Sequence, residues 1–428
     1  MDGVSKRLAL AVTFILLTVI LPCATVNAQA SSDDWPMLRA DPSHTGAATG
    51  DTVVTPNLLW SYPTHGGPDS GESSPAIVKG ILYFGSTDGN LYALNATDGM
   101  KLWNYSTGGP VESSPAVDNG IVYAGSSNGS LYALNATNGD KIWSFSTDII
   151  YSSPTFLDDV VYFAGSHTVY ALNAKSGLML WNNSITSAYW GIYSSPAVAN
   201  GVVYIGSDDH NLYALNATDG RQLWVYPTEN WVESSPTVAN GIVYVSSEDE
   251  NLYALNAANG QKIWNYNITL DTANGESIAV ANNVVYVLSG LNGEIKALNA
   301  KTGGLIWSSS TTDCQPFPII VGNVLYVGGI DNLFAFNATD GSWLWNSNQT
   351  GNILSSPAYA NGVVYVDSTN GNIYAFGTPL ATSAQATPSP ASTQAIPEFS
   401  WLAISPLFLS VLLIAAVLRH RKTLNLKL

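Results

Sequence analysis

Ala93-Leu94-Asn95-Ala96-Thr97-Asp98-Gly99-Met100-Lys101-Leu102-Trp103 is one copy of a phrase that returns along the chain. It recurs from Ala133 to Trp143, Ala171 to Trp181, Ala214 to Trp224, Ala254 to Trp264, Ala297 to Trp307 and Ala335 to Trp345. The closing tryptophans stand 38 to 43 residues apart, and Trp60 precedes Trp103 by 43. Short strands repeating with a period of about 40 residues indicate a β-propeller, each period being one four-stranded blade.

The period from Ser194 to Tyr226 shows why. Ser195 to Val198 reads as a first strand, and Asn200-Gly201 suits a two-residue hairpin whose central residues both need positive φ. Val202 to Gly206 is a second strand, apolar on both alternating sets of side chains, as a sheet packed between two neighbours requires. Leu212 to Leu215 is a third, Gly220 supplies a turn that disfavours a Cβ, and Gln222 to Tyr226 is a fourth. First strands open near Ser73, Ser113, Ser152, Ser194, Ser234, Ser277, Pro316 and Ser355, which makes eight. The last third strand, Ile373 to Phe376, has no tryptophan strand after it, and Leu58 to Tyr62 has no strands before it. The expected fold is therefore all-β: an eight-bladed β-propeller over residues 58–377, closed by its N-terminal strand so that no sheet edge stays open.

The spacing Ala-x-x-x-x-x-Gly-x-x-x-Trp resembles the tryptophan-docking motif of the pyrroloquinoline quinone (PQQ) repeat family. That family includes quinoprotein alcohol dehydrogenases and the scaffold lipoprotein of the bacterial outer-membrane barrel-assembly machine. The resemblance covers residues 35–376 and implies that Trp60, Trp103, Trp143, Trp181, Trp224, Trp264, Trp307 and Trp345 each stack on a neighbouring blade. The family usually carries aspartate where this chain has Asn95, Asn135, Asn173, Asn216, Asn256, Asn299 and Asn337, a change such turns accept.

The ends are read separately. Lys6-Arg7, an apolar run from Leu8 to Leu21 and small residues up to Ala28 and Ala30 make residues 1–30 a secretory signal peptide. Cleavage there would leave Cys314 alone, so no intramolecular disulfide is expected. Residues 31–57 form an N-terminal segment beginning Trp35-Pro36-Met37-Leu38-Arg39, expected to pack across the propeller. Residues 378–397, rich in Pro, Ser, Thr and Ala, read as a stalk. Residues 398–428 hold an apolar run from Trp401 to Leu418 followed by Arg419-His420-Arg421-Lys422. That is a transmembrane helix with a cytoplasmic tail, or, by its resemblance to the PEF-type sorting signals of archaeal surface proteins, a segment cut by a sortase-like enzyme. Both readings place the propeller on the extracellular face of the cell membrane.

Nine Asn-x-Ser/Thr sequons are candidate glycosylation sites there: Asn95, Asn104, Asn128, Asn135, Asn182, Asn216, Asn267, Asn337 and Asn348. A net charge of −16 argues against a nucleic-acid partner. The residues just before the first strands are Glu72, Glu112, Tyr151, Tyr193, Glu233, Glu276, Gln315 and Leu354. Four carboxylates, Glu72, Glu112, Glu233 and Glu276, are thus candidate calcium ligands at one channel mouth, or else solvated loop residues. His167, Asp208-Asp209-His210 and Glu248-Asp249-Glu250 form a second polar cluster on hairpin tips, where a transition metal competes with simple solvation. No catalytic or cofactor-binding residue is assigned. The favoured function is a non-catalytic, surface-anchored scaffold for other surface proteins or glycans, with no cofactor beyond calcium. A PQQ- and calcium-dependent dehydrogenase is the alternative that the resemblance keeps open. Against it stand the absence of adjacent cysteines and of Cys-x-x-Cys-His, and only 15 Lys and Arg to grip the three PQQ carboxylates.

Overall fold

The computed structural model describes residues 33–64, 73–185, 191–268, 278–289, 293–310, 318–348 and 350–378. The expected signal peptide, the stalk beyond residue 378 and the apolar C-terminal stretch lie outside the described residues, among which no helix is long and apolar enough to cross a membrane.

Eight antiparallel sheets succeed one another. Blade 1 comprises Ala76–Val78, Ile81–Gly85, Asn90–Asn95 and Lys101–Ser106. Blades 2 to 6 repeat this order over residues 116–146, 155–184, 197–227, 237–267 and 279–309, and blade 7 spans 319–346. Blade 8 takes Ala358–Ala360, Val363–Ser368 and Asn372–Gly377 from the C-terminal side and Asn57–Pro63 from the N-terminal side. The register of that closure is Leu58 opposite Phe376, Trp60 opposite Ala375 and Tyr62 opposite Ile373. The ring closes as the unpaired strands at the two chain ends require.

Local sequence accounts for the blade. Asn200 and Gly201 sit at φ +50° and +75°, so the hairpin joining first and second strands is the one Asn-Gly encodes. Val202–Ser207 is buried at all but its first residue, consistent with a strand covered by neighbouring blades on both sides. The first strand is shorter than Ser195 to Val198: it runs Ala197–Ala199. Ser195 instead sends its N–H to Ser235 Oγ of the next blade, and Pro196 has no N–H to give a ladder.

A second feature recurs in every blade. The fourth strand carries a β-bulge immediately before its tryptophan: Ala93 pairs with Trp103 and Leu94 with Lys101, leaving Leu102 unpaired. The same break isolates Leu59, Ile142, Leu180, Leu223, Ile263, Ile306 and Leu344. A bulge adds local twist and re-aims the following side chain. Here it turns the tryptophan onto the next blade and, in blades 1 to 7, leaves the preceding Leu or Ile at the surface.

Apolar cores lie at the seams between blades rather than within one blade. One joins Tyr204, Ala214 and Val232 to Val243, Leu255 and Ala257 across blades 4 and 5. At the closing seam Leu59, Trp60 and Tyr62 pack against a cluster holding Tyr365, Ile373 and Phe376.

Candidate functional site

Each tryptophan hydrogen-bonds across a seam. Trp103 Nε1 donates to Ala136 O at 3.0 Å, Trp224 Nε1 to Ala257 O at 3.1 Å and Trp264 Nε1 to Ala300 O at 3.0 Å. Trp60 reaches Ala96, Trp143 reaches Ala174, Trp181 reaches Ala217 and Trp307 reaches Ala338 in the same way. The indole also lies over the glycine of the next motif: a Cβ on Gly260 would come within 2.7 Å of the Trp224 ring. Sequence reading did not single out the tyrosine of the second strand. Tyr204 O–H donates to the Ala257 carbonyl that Trp224 uses, at 3.0 Å, and the two rings are 5.8 Å apart. Its signal was available, since a tyrosine occupies this place in all eight blades: Tyr83, Tyr123, Tyr162, Tyr204, Tyr244, Tyr286, Tyr326 and Tyr365. Blade 8 lacks the Asn-Ala turn, and there Trp345 Nε1 bonds the carbonyl of Val53, whose N–H bonds Tyr326 Oη. The N-terminal segment thus stands in for the missing turn.

That segment also fills the axis. Carbonyls of Trp35, Pro36, Pro42, Ser43, Thr45 and Gly46 accept N–H groups from first strands of six blades, and Ala47–Ala48 runs parallel to blade 7. Arg39 is buried, its Nη1 donating to Thr237 Oγ1 at 2.8 Å and to Ile278 O at 3.4 Å. Burial lowers the Arg39 guanidinium to about 9 against the countervailing charge of Asp41. Burial likewise drives His44, 3.1 Å from Thr155 Oγ1, down to about 3, so its imidazole is neutral on the axis.

The fourth-to-first connections and the second-to-third hairpins share one face; this is the mouth. Glu112 and Glu233 lie there, while Glu72 and Glu276 fall outside the described residues. Among the described residues, no three His, Cys, Asp or Glu converge closely enough to hold a metal ion. The hairpin-tip acids have other duties: Asp209 and Asp249 accept the hydroxyls of Tyr213 and Tyr253 at 2.5 and 2.7 Å.

Around Asp208 the mouth is different. The connection carrying Glu233 is clamped between two hairpins: Val232 N–H donates to Ser207 O at 3.2 Å, and Glu248 N–H to Trp231 O at 2.9 Å. This brings Glu233 beside Asp208 and Glu248. Asp208 is 2% exposed, yet neither of its carboxylate oxygens has a hydrogen-bond partner among the described residues. Desolvation, reinforced by Asp209, pushes Asp208 up to about 6; desolvation, reinforced by Asp208 and Glu248, pushes Glu233 up to about 7. Alongside, Tyr151 and Tyr193 stack with centroids 5.1 Å apart and remain 38% and 40% exposed. Tyr193 feels the charges of Asp208 and Glu233. Basic groups are elsewhere. Apart from buried Arg39, the one described lysine or arginine on the mouth side is Lys296, which pairs with Glu294 at 3.3 Å. The rest sit on turns of the other face.

The sequons are spread over third-to-fourth turns, fourth strands and the mouth face. Asn95, Asn135, Asn216 and Asn337 use Oδ1 to cap their own turns, accepting Thr N–H groups at 2.8–2.9 Å. Asn104, Asn182 and Asn267 lie on fourth strands, and Asn348 is exposed after blade 7. Asn128 Nδ2 already donates to Thr107 O.

Fold and seams define the class: a propeller of PQQ-like repeats. A family model described as outer membrane protein assembly factor BamB matches residues 48–191, 167–316 and 291–379, and the chain belongs to that family. Curated relatives of the same name come from Burkholderia pseudomallei, 33% identical over 93 residues, and Kangiella koreensis, 27% over 117. Those matches cover 22% and 24% of this chain but only 24% and 30% of the relatives' own length. Among solved structures, BamB from Moraxella catarrhalis superposes with a TM-score of 0.64 at 18% identity, covering 76% of this chain and all of that one. A quinohaemoprotein alcohol dehydrogenase from Pseudomonas putida gives 0.70 at 15% identity over 86% and 84% of the two chains. A europium-containing methanol dehydrogenase gives 0.68 at 13% identity over 81% of this chain and 98% of its own. At such identities the likeness is one of fold.

Proposed function

We propose that this chain is a non-catalytic binding propeller that engages other proteins or ligands at its mouth, held outside the cell by its C-terminal segment. The observation that carries this reading is the matched family, whose named members are assembly factors; an assembly factor works by engaging what it assembles. The mouth chemistry supports it. A PQQ cofactor brings three carboxylates, and the residues described do not fit it: the sole lysine of the mouth is paired, and the nearest groups are themselves acidic. Like charges held together out of water oppose such a ligand. Calcium would need six to eight oxygens, more than the described mouth gathers around one point.

Purifying the full chain from its native membrane and identifying what accompanies it tests the binding function. Incubation with PQQ and Ca²⁺ tests the alternative, a quinoprotein dehydrogenase, which the two solved dehydrogenase folds keep in view. The expected result is no stoichiometric cofactor uptake and no dye reduction with alcohols or sugars. One PQQ bound per chain with substrate-dependent turnover would replace the scaffold reading with the enzymatic one. Protease added to intact cells should release the propeller by cutting within residues 378–396; protection until lysis would put it on the other side of the membrane.

A further inference from the structure

We propose that the mouth around Asp208 is a binding site for an organic ammonium group, its charge seated against Asp208 and Glu233 and its carbon stem against the Tyr151–Tyr193 stack. This deepens the binding-propeller reading and rests on it.

Four observations point to a cation of this kind. Asp208 is nearly sealed from water while both carboxylate oxygens lack a donor among the described residues. A buried carboxylate without a partner is costly, and it persists where something supplies the missing donors. Glu233 and Glu248 add negative charge within reach, and the mouth has no free described lysine or arginine to neutralise them. An external cation is what this arrangement lacks.

Two further observations select an organic cation over a metal ion. No three potential ligands converge among the described residues, so a hard divalent ion would find too few oxygens. An ammonium needs only two or three acceptors and gains from aromatic faces. The Tyr151 and Tyr193 rings, stacked 5.1 Å apart and left in solvent, offer such faces beside the carboxylates. The hairpin hydrogen bonds from Val232 to Ser207 and from Glu248 to Trp231 hold these groups in place before any ligand arrives.

The same chemistry arrives on a lysine side chain or on a small free amine, and calorimetry on the full chain separates them. The probes are butylammonium, Nα-acetyl-lysine methylamide, a Gly-Lys-Gly peptide and, as the uncharged isostere, butanol. The ammonium probes should bind and butanol should not. Asp208→Asn should weaken binding at least tenfold and Tyr193→Ala several-fold, with the melting temperature of Asp208→Asn unchanged or raised because a buried charge is gone. A peptide that binds at least tenfold tighter than butylammonium identifies a lysine of a partner chain; equal affinities identify a small amine. Either result supports the site. The proposal is overturned by butanol binding as well as butylammonium, by affinity indifferent to Asp208→Asn, or by no binding at millimolar concentration. It is also overturned if Ca²⁺ raises the melting temperature and Asp208→Asn abolishes the rise. Where the peptide is the tighter probe, a partner that co-purifies equally with wild type and Asp208→Asn would sink this site and leave the scaffold reading standing. PQQ-dependent turnover would sink the scaffold reading instead.

Discussion

At the scale of single residues, the seam is a carbonyl shared by two donors. Ala257 O receives both Trp224 Nε1 and Tyr204 Oη, so removing either leaves the carbonyl satisfied by the other. Tyr204→Phe should cost about 1 kcal/mol, the net worth of one hydrogen bond, and Trp224→Phe more, because it also removes packing over Gly260. The double variant strands a buried carbonyl, and its cost should exceed the sum by at least ~0.5 kcal/mol in urea unfolding. Strict additivity would mean that the two donors do not share one acceptor. The glycines give a second comparison. Gly201 and Gly260 have nearly equal φ, +75° and +72°, but only Gly260 faces an indole, while Gly201 faces open space. Alanine at either should cost about 1–2 kcal/mol for the left-handed backbone. Gly260→Ala should cost roughly 1–3 kcal/mol more for overpacking the Trp224 ring. If the two variants melt together, the ring is not why glycine stands there.

At the scale of elements, the repeat made the blades legible and hid what joins them. Strand number, the Asn-Gly hairpins and closure by Leu58 to Tyr62 all follow from patterns inside one period. The bulge does not, because Leu102 or Ile263 reads as one more apolar strand residue in a Lys-Leu-Trp or Lys-Ile-Trp string. Its unpaired state is a property of register between strands, which a single strand cannot display. The mouth was half legible. Tyr151, Tyr193 and Glu233 stand out from their place before first strands, whereas Asp208 looked like an ordinary polar tip. What sets it apart is its burial, which a hairpin's own sequence does not display. The bulge can be tested directly. Ile263 is 44% exposed, so Ile263→Ala should change stability by under about 1 kcal/mol. Deleting Ile263 leaves Lys262 opposite Leu255 and Trp264 opposite Ala254 in an unbroken ladder, without the added twist that the bulge supplies. Trp264 would then lose its aim at Ala300 O, and unfolding should lose cooperativity or fall by several kcal/mol. A deletion as mild as the alanine variant would show that the docking does not depend on the bulge.

For the molecule as a whole, charge is arranged by face and by depth, and the buried acids set how stability responds to pH. Asp367, at the end of the second strand of blade 8, is buried; desolvation raises its carboxyl to about 8 against the one backbone N–H, from Ser368, that favours the charged form. An unfolded aspartate titrates near 3.9. Between about 4 and 8 the native protein therefore holds a proton that the unfolded chain has released, and stability falls as pH rises through that window. Asp208 and Glu233, raised to about 6 and about 7, act in the same direction over narrower ranges. His44, lowered to about 3, acts oppositely: the unfolded chain takes up its proton below about 6.5, so that contribution is lost on acidification. The total profile mixes these signs, and a variant isolates one. Asp367→Asn keeps an oxygen for the Ser368 N–H and removes the ionisation. Its melting temperature should match the parent at pH 4, where both side chains are neutral, and exceed it by several degrees at pH 8. Equal melting at both values would show that Asp367 stays charged in the fold without cost, and that the second strand of blade 8 is wetter than its packing indicates.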